Sequence, residues 1–331
     1  MLFLRISPKL WVCIAVLVSL LVFSGWSLFV LTIPPGNGSV VRSVTLPAGA
    51  GIRMLAAELE KSGIIRNAVH FAMLGRLSGQ AVHLKAGDYR FHDGMTPWQV
   101  LRKVVDGDVD YRRFVLPEGY SIHQAAELAE QKGFFSRAQF LKACSAPQVL
   151  ATLGSGARTM EGYLYPATYD LTRSNSAEEL IVKMYRRFER AYATIEANPR
   201  ISLTLHQVVT LASMIEKEAV AASEKPLISS VFHNRLRLKM PLQSDPTAVY
   251  GRSALSGKVT GMDVRRHSAY NTYQINGLPP GPIGNPGVDA LRAALHPADT
   301  QYLYFVAKKD GTHHFSRNLE EHNRAVRQFL R

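Results

Sequence analysis

Residues 211–236 read LASMIEKEAVAASEKPLISSVFHNRL. Apolar residues recur at helical spacing through Val208, Leu211, Ile215, Ala219 and Ala222. The spacing predicts one helix from Thr204 to Ala222 and a second from Glu224 to Leu238. Two carboxylates, Glu216 and Glu218, flank Lys217 on the first. Stepping 100° per residue from Leu211, the apolar stripe spans about 0° to 80°, with Glu218 at about 340°, Glu216 at about 140° and Lys217 at about 240°. Glu218 is therefore the nearer to the stripe. A partly desolvated carboxyl has a raised pKa, which a general acid needs at neutral pH. The advantage over Glu216 is only a few tens of degrees of arc. Taken alone, the helix is better read as carrying two solvated glutamates.

The residues that follow add chemistry. Asn234, Arg235, Gln243, Ser244, Asp245, Thr247 and Tyr250 come first, then SAYNTYQINGLPPGPIGNPG over 268–287, with Tyr270, Asn271, Thr272 and Tyr273. Amides bond hydroxyls in pairs and aromatic faces pack on sugar rings, so this is the composition of a saccharide groove. Ordinary turn chemistry uses the same residue types, and LPPGPIGNPG reads as a rigid wall.

Around this region, EGYLYPATYDL (161–171) is aromatic and alternating, and helices are expected over 177–195, 288–295 and 319–330. YLYFVAKKDGTHHFS reads as a hairpin turning at Lys309-Asp310-Gly311. Upstream, LPAGAGIRMLAAELEKSGII (46–65) and LPEGYSIHQAAELAEQKGFF (116–135) form an internal repeat: an LPxG turn, an amphipathic helix and a glycine stop. Their stripes are Ile52, Leu55, Ala56, Leu59 and Ile122, Ala125, Ala126, Ala129. Residues 40–110 form a small module ordered strand–helix–helix–strand–helix. Helices and strands mix without regular alternation, so the class is α+β.

From Leu10 to Val41 there is no Asp, Glu, Lys or Arg. That run exceeds the roughly 20 apolar residues a membrane helix needs. A transmembrane helix is expected over 10–33. Arg5 and Lys9 precede it, which keeps residues 1–9 cytoplasmic and puts the rest outside. A cleaved signal peptide is the rival reading, but the run is longer than a signal core and no clear cleavage site follows. Lys and Arg number 39 against 26 Asp and Glu, a net charge of +13. Such a balance favours an anionic partner or simply solubilises the surface. Outside the cytoplasm the expected polymer is cell wall and not nucleic acid. Cys13 and Cys144 are the two cysteines, and no disulfide is expected. CxxC, HExxH and GxSxG are absent. His313 and His314 would point to opposite faces of a strand, so no metal site is expected there.

LASMIEKEA, NRLRLKMPLQSDPTAVYG, SAYNTYQINGLPPGPIGNPG, ALHPADTQYLYFV and HFSRNLEEHN, in this order, closely resemble the endolytic murein transglycosylase (YceG-like) family. LPEGYSI and EGYLYPATYDL join the likeness, which runs from about residue 40 to the end. The resemblance implies a single N-terminal anchor in the plasma (inner) membrane, a LysM-like wall-binding module over 40–110 and a catalytic domain over 111–331 outside the cytoplasm. It implies cleavage of peptidoglycan between N-acetylmuramic acid and N-acetylglucosamine inside glycan strands, leaving a 1,6-anhydro end. Glu218, the second glutamate of IEKE, becomes the catalytic acid. Glu161 becomes a supporting carboxylate, and Gln243, Tyr270, Asn271 and Thr272 substrate contacts. No cofactor or metal is implied, and peptidoglycan synthases are expected partners. Two positions depart from the pattern. Ala219 stands where lytic transglycosylases tend to have Ser or Thr, so a hydroxyl orienting the acid must come from elsewhere. Ala167 stands in YPATY where an acidic residue is common.

Three other readings stay open. A non-catalytic wall-binding scaffold would make Glu218 dispensable. A basic domain acting by charge would cluster its Lys and Arg on one face. A hydrolase using water would differ only in its product ends.

Overall fold

The computed structural model describes residues 8–151, 153, 157–251 and 259–330. Residues 1–7 of the expected cytoplasmic segment, Arg5 among them, lie outside the described residues. The chain divides into two compact units, residues 1–112 with 170–174, and residues 113–169 with 175–331.

The first unit begins with α1 (Pro8–Thr32), roughly 37 Å long at 1.5 Å per residue. Its window Trp11–Thr32 is, among the described residues, the one helix long and apolar enough to cross a membrane. Then follow β1 (Val41–Leu46), α2 (Ile52–Lys61), α3 (Ala68–Leu77), a 3-10 turn (Gln80–Val82), β2 (Gly87–His92) and α4 (Pro97–Asp106). This is the order the sequence predicts. β1 and β2 pair antiparallel, from Val41 opposite His92 to Leu46 opposite Gly87. α2 buries Ile52, Leu55, Ala56 and Leu59, the expected stripe. These pack with Phe71, Tyr89, Phe91, Val100 and Leu101 into a core. Gly63, at φ 72°, takes the left-handed conformation that ends the helix. Thr96 and Gln99 form a capping box that starts α4. Ser174 N–H donates to Asp88 Oδ2 at 2.9 Å, which holds residues 170–174 in this unit.

The second unit contains α5 (Ile122–Gln131), α6 (Arg137–Cys144), α7 (Pro147–Leu150), α8 (Ala177–Tyr192), α9 (Leu205–Glu218), a 3-10 turn (Ala222–Glu224), α10 (Lys225–Arg237), α11 (Asp245–Val249), α12 (Gly261–Arg265), α13 (Val288–Leu295) and α14 (Leu319–Phe329). β3 (Arg112–Val115) pairs with β4 (Thr168–Leu171), and β5 (Tyr304–Ala307) with β6 (His313–Ser316). The last pair is antiparallel, Tyr304 opposite Ser316. α5 buries Ile122, Ala125, Ala126 and Ala129, so the second copy of the repeat folds as the first does. The protein is thus a mixed α and β fold with one apolar N-terminal helix.

α9 is the centre of this unit. Every residue from Val208 to Ile215 is buried, as befits a helix covered on all sides. α13 and α10 pack along it. One expectation needs correcting. α9 ends at Glu218 and not at Ala222, because Ala219 turns to extended backbone (φ −82°, ψ 124°). That reversal lets Lys225 return to Glu216. In 161–171 only Thr168–Leu171 is strand. Gly162 at φ 87° and Pro166 break the extended run before it.

Candidate functional site

The end of α9 places Glu218 at the rim of the buried helix, where its carboxyl is partly buried. Burial pushes its pKa up to about 7; the Ser244 hydroxyl opposes this and Asp245 adds to it. Ser244 Oγ donates to Glu218 Oε1 at 2.6 Å. Ser244 is buried, and its N–H is held by Thr272 Oγ1 at 2.9 Å. The hydroxyl that Ala219 cannot supply thus comes from the start of α11.

Glu216 faces a different environment. Lys225 Nζ donates to its Oε1 at 2.8 Å, and Gly287 N–H to its Oε2 at 2.9 Å. Both side chains of the pair are nearly buried, 6% exposed for Lys225 and 7% for Glu216. With both oxygens engaged, Glu216 ties α9, α10 and the residue before α13 together. It has no free face for substrate.

Glu161 is 3% exposed. Its carboxylate caps α5, accepting the Ile122 N–H at 3.1 Å on Oε1 and 3.2 Å on Oε2. Tyr250 Oη donates to Oε2 at 2.8 Å. Burial pushes its pKa up to about 7, against the pull of the Tyr250 hydroxyl, the Ile122 N–H and the Lys217 charge. Asn285 fixes the surroundings. Its Nδ2 donates to Tyr120 O at 2.7 Å, and its Oδ1 accepts the Leu164 N–H at 2.9 Å. The GLPPGPIGNPG loop is also held to α9, by Ile283 N–H on Ser213 Oγ at 3.0 Å. It is a wall, as its sequence predicts.

A cleft of about 730 Å³ opens here, walled by Ser121, Gln124, Lys217, Glu218, Asp245 and Tyr250. Tyr270 is partly buried and packs against Tyr250, ring centroids 4.6 Å apart and planes tilted by 42°. Gln243 is exposed, at the positive φ of 51°, and its Oε1 accepts from Arg235 Nη1 at 3.2 Å. A non-glycine residue at such a φ is strained, and this strain lies directly beside Ser244. Asn271 and Thr272 are fully buried. Asn271 Nδ2 donates to the carbonyls of Val264 and Arg266 at 3.0 and 2.7 Å. Thr272 Oγ1 sits 2.8 Å from Thr247 Oγ1 and holds the Ser244 N–H. Their polar atoms face the protein and not the cleft: Thr272 acts through Ser244, and Asn271 ties its own loop to residues 263–266.

Spacing arguments do not single out Ser244, Tyr250 or Asn285. The usable signal was the missing hydroxyl at residue 219, which requires a donor from another segment. His313 Nδ1 lies 2.8 Å from Glu224 Oε2. No group of three or more His, Cys, Asp or Glu among the described residues is placed to hold a metal ion. A wider depression along α8 is lined by charges such as Glu179, Arg186 and Glu189 and holds neither Glu161 nor Glu218.

The YceG-like family model matches residues 44–328. The chain is 31% identical over 305 residues to the endolytic murein transglycosylase of Bacillus subtilis, covering 87% of this chain and 84% of that one. It is 30% identical over 330 residues to the endolytic murein transglycosylase of Streptococcus pneumoniae, covering 89% of this chain and 59% of the longer relative. Among solved structures, a yceG-like protein of Listeria monocytogenes is similar at a TM-score of 0.57 and 35% identity, over 86% of this chain and 99% of that one. This chain belongs to the YceG-like family.

Proposed function

We propose that this protein is an endolytic lytic transglycosylase of peptidoglycan in which Glu218 is first the acid and then the base. The observation that carries this reading is a cleft carboxyl raised to about 7 by burial and gripped by Ser244. At neutral pH such a group is substantially protonated. It gives its proton to the glycosidic oxygen between N-acetylmuramic acid and N-acetylglucosamine, and the bond from C1 to that oxygen breaks. The muramyl C6 hydroxyl then gives its proton to the Glu218 carboxylate while its oxygen closes on C1. The product is a 1,6-anhydro ring, and no water enters. The attacking group is tethered to the substrate, so one carboxylate in direct contact suffices where most glycoside hydrolases need two.

The other residues fall into supporting roles. Glu161 fixes the Tyr250 hydroxyl, and the Tyr250–Tyr270 pair offers an aromatic wall to the sugar rings. Gln243 stands exposed as a substrate contact. Thr272 positions the Ser244 segment, and Asn271 fixes the 263–273 loop behind it. The apolar α1 supports a single-pass anchor in the plasma membrane with residues 1–9 cytoplasmic and the remainder outside. On this reading residues 40–110 are a LysM-like wall-binding module and 111–331 the catalytic domain. Peptidoglycan synthases are the expected neighbours, which co-purification of the full chain tests.

The decisive experiment incubates the wild type and Glu218→Gln with purified peptidoglycan and weighs the products. Anhydro ends from the wild type and none from Glu218→Gln support the proposal. Reducing ends would make the enzyme a hydrolase. Binding without cleavage by either protein would make it a scaffold.

A further inference from the structure

The first unit carries an apolar face that its own core does not use. α3 reads AVHFAMLGRL, and Phe71, Ala72 and Gly75 point inward. On the opposite side Val69, Met73 and Leu77, four residues apart, are 65%, 47% and 85% exposed, and Val82 just beyond is 83% exposed. A surface helix of a soluble domain normally presents polar residues there.

The position of α3 identifies what covers that face. α3 packs directly on α1. Ser27 Oγ and His70 Nε2 are 3.1 Å apart, and the Phe23 and His70 rings lie 6.1 Å apart. Arg66, just before α3, donates to Pro34 O at 2.8 Å and sets its guanidinium 4.9 Å from the Phe29 ring centre. Counted back from Thr32 at 1.5 Å per residue, Phe29, Ser27 and Phe23 lie about 5, 8 and 14 Å inside the end of the apolar helix. Interfacial helices sink about 5–10 Å into the boundary between headgroups and acyl chains. The Arg66–Phe29 and His70–Ser27 contacts thus fall at the depth an interfacial helix occupies, and the Phe23 contact a few ångström deeper. Arg66 sits at headgroup level, and Arg76 at the far end of α3 is long enough to reach it. α4 also packs on α1 and leaves Trp98 42% exposed, an aromatic residue suited to the same layer.

We propose that the Val69–Met73–Leu77 face of α3 lies in the leaflet of the bilayer on the side where α1 ends, with Arg66 and Arg76 paired to anionic headgroups. This rests on the reading of α1 as a membrane anchor. The first unit is then held flat on the membrane by two contacts instead of hanging from a single tether.

Depth-dependent quenching on the full chain tests this. The background is Cys13→Ser, in which buried Cys144 stays unlabelled. An environment-sensitive dye is placed on Met73→Cys, Leu77→Cys, Leu20→Cys in α1 or Glu320→Cys in α14, and the protein is inserted into vesicles containing anionic phospholipid. Lipids spin-labelled near the headgroup should quench Met73→Cys and Leu77→Cys about threefold more than Glu320→Cys, as a shallowly embedded face requires. Deeper labels should quench Leu20→Cys. Quenching at Leu20→Cys with Leu77→Cys no different from Glu320→Cys would overturn the proposal and leave the anchor standing. Protection of Leu77→Cys that grows with protein density and ignores the spin labels would assign the face to a second copy, and would also overturn it. No quenching at Leu20→Cys would remove the anchor and the proposal together.

Discussion

Ser244 Oγ donates to Glu218 Oε1 across 2.6 Å, from a segment 26 residues further along the chain. The bond favours the ionised carboxylate and so holds the Glu218 pKa below the value that burial alone would set. It also fixes which oxygen remains for substrate. Ser244→Ala removes both effects. The Glu218 pKa should rise further, so the alkaline limb of the pH–activity profile should move to higher pH. The rate at neutral pH should fall about tenfold, the worth of one charge-assisted hydrogen bond. Ser244→Thr should recover part of the loss. An unmoved alkaline limb would remove Ser244 from this role.

Glu218 carries a stability cost with a predictable pH window. Its folded pKa of about 7 lies above the ordinary 4.5. Below pH 4.5 the carboxyl is protonated whether the chain is folded or not. Between pH 4.5 and 7 the unfolded chain ionises first, so stability is lost as pH rises through that range. Glu218→Gln cannot ionise and escapes the loss. At pH 7.5 it should be about 1–2 kcal/mol more stable than the wild type, or several degrees in Tm. The two should converge near pH 4.5. Thermal melts across this range check it, and they separate loss of chemistry from loss of fold.

The pattern of α9 was legible because its Thr204 start and apolar spacing are local signals. The choice between its two glutamates was much less so. The helical wheel favoured Glu218 by a small angle, yet residues 208–215 are buried on every side, so no single stripe separates them. What distinguishes the two is tertiary. Lys225 and the Gly287 N–H occupy Glu216, whereas Glu218 ends the helix beside the cleft. Asn271 and Thr272 carry the residue types of sugar contacts, but Thr272 is bonded to Ser244 and Thr247 and Asn271 to the carbonyls of 263–266, partners that no local spacing reveals. The repeat was easier to read, since α2 and α5 each need only one buried face, and both bury the four residues expected.

The Glu216–Lys225 pair should behave as a structural ion pair. Glu216→Ala leaves the buried Lys225 with only the more exposed Glu118, 3.7 Å away, so the loss should approach but not exceed the roughly 3–5 kcal/mol of a fully broken buried pair. Urea unfolding should show that drop, while activity per folded molecule stays within a few-fold of wild type. The double change Glu216→Gln with Lys225→Met removes both charges and should recover most of the stability. An activity loss in the double variant as deep as that of Glu218→Gln would instead give Glu216 a chemical role.

Tyr250 joins the two carboxylate environments, because its hydroxyl holds Glu161 at 2.8 Å while its ring lines the cleft and packs against Tyr270. The two functions separate by substitution. Tyr250→Phe keeps the ring and deletes the donor, so Glu161 loses a partner that lowers its pKa and becomes still harder to ionise. KM for glycan strands should stay within about twofold, and kcat should fall about three- to tenfold, the worth of one neutral hydrogen bond. Tyr250→Ala also removes the aromatic wall, so KM should rise as well. Steady-state kinetics on purified glycan strands distinguishes the two. If Tyr250→Phe matches the wild type in both constants, Glu161 serves only as the cap of α5, held there by the Ile122 N–H.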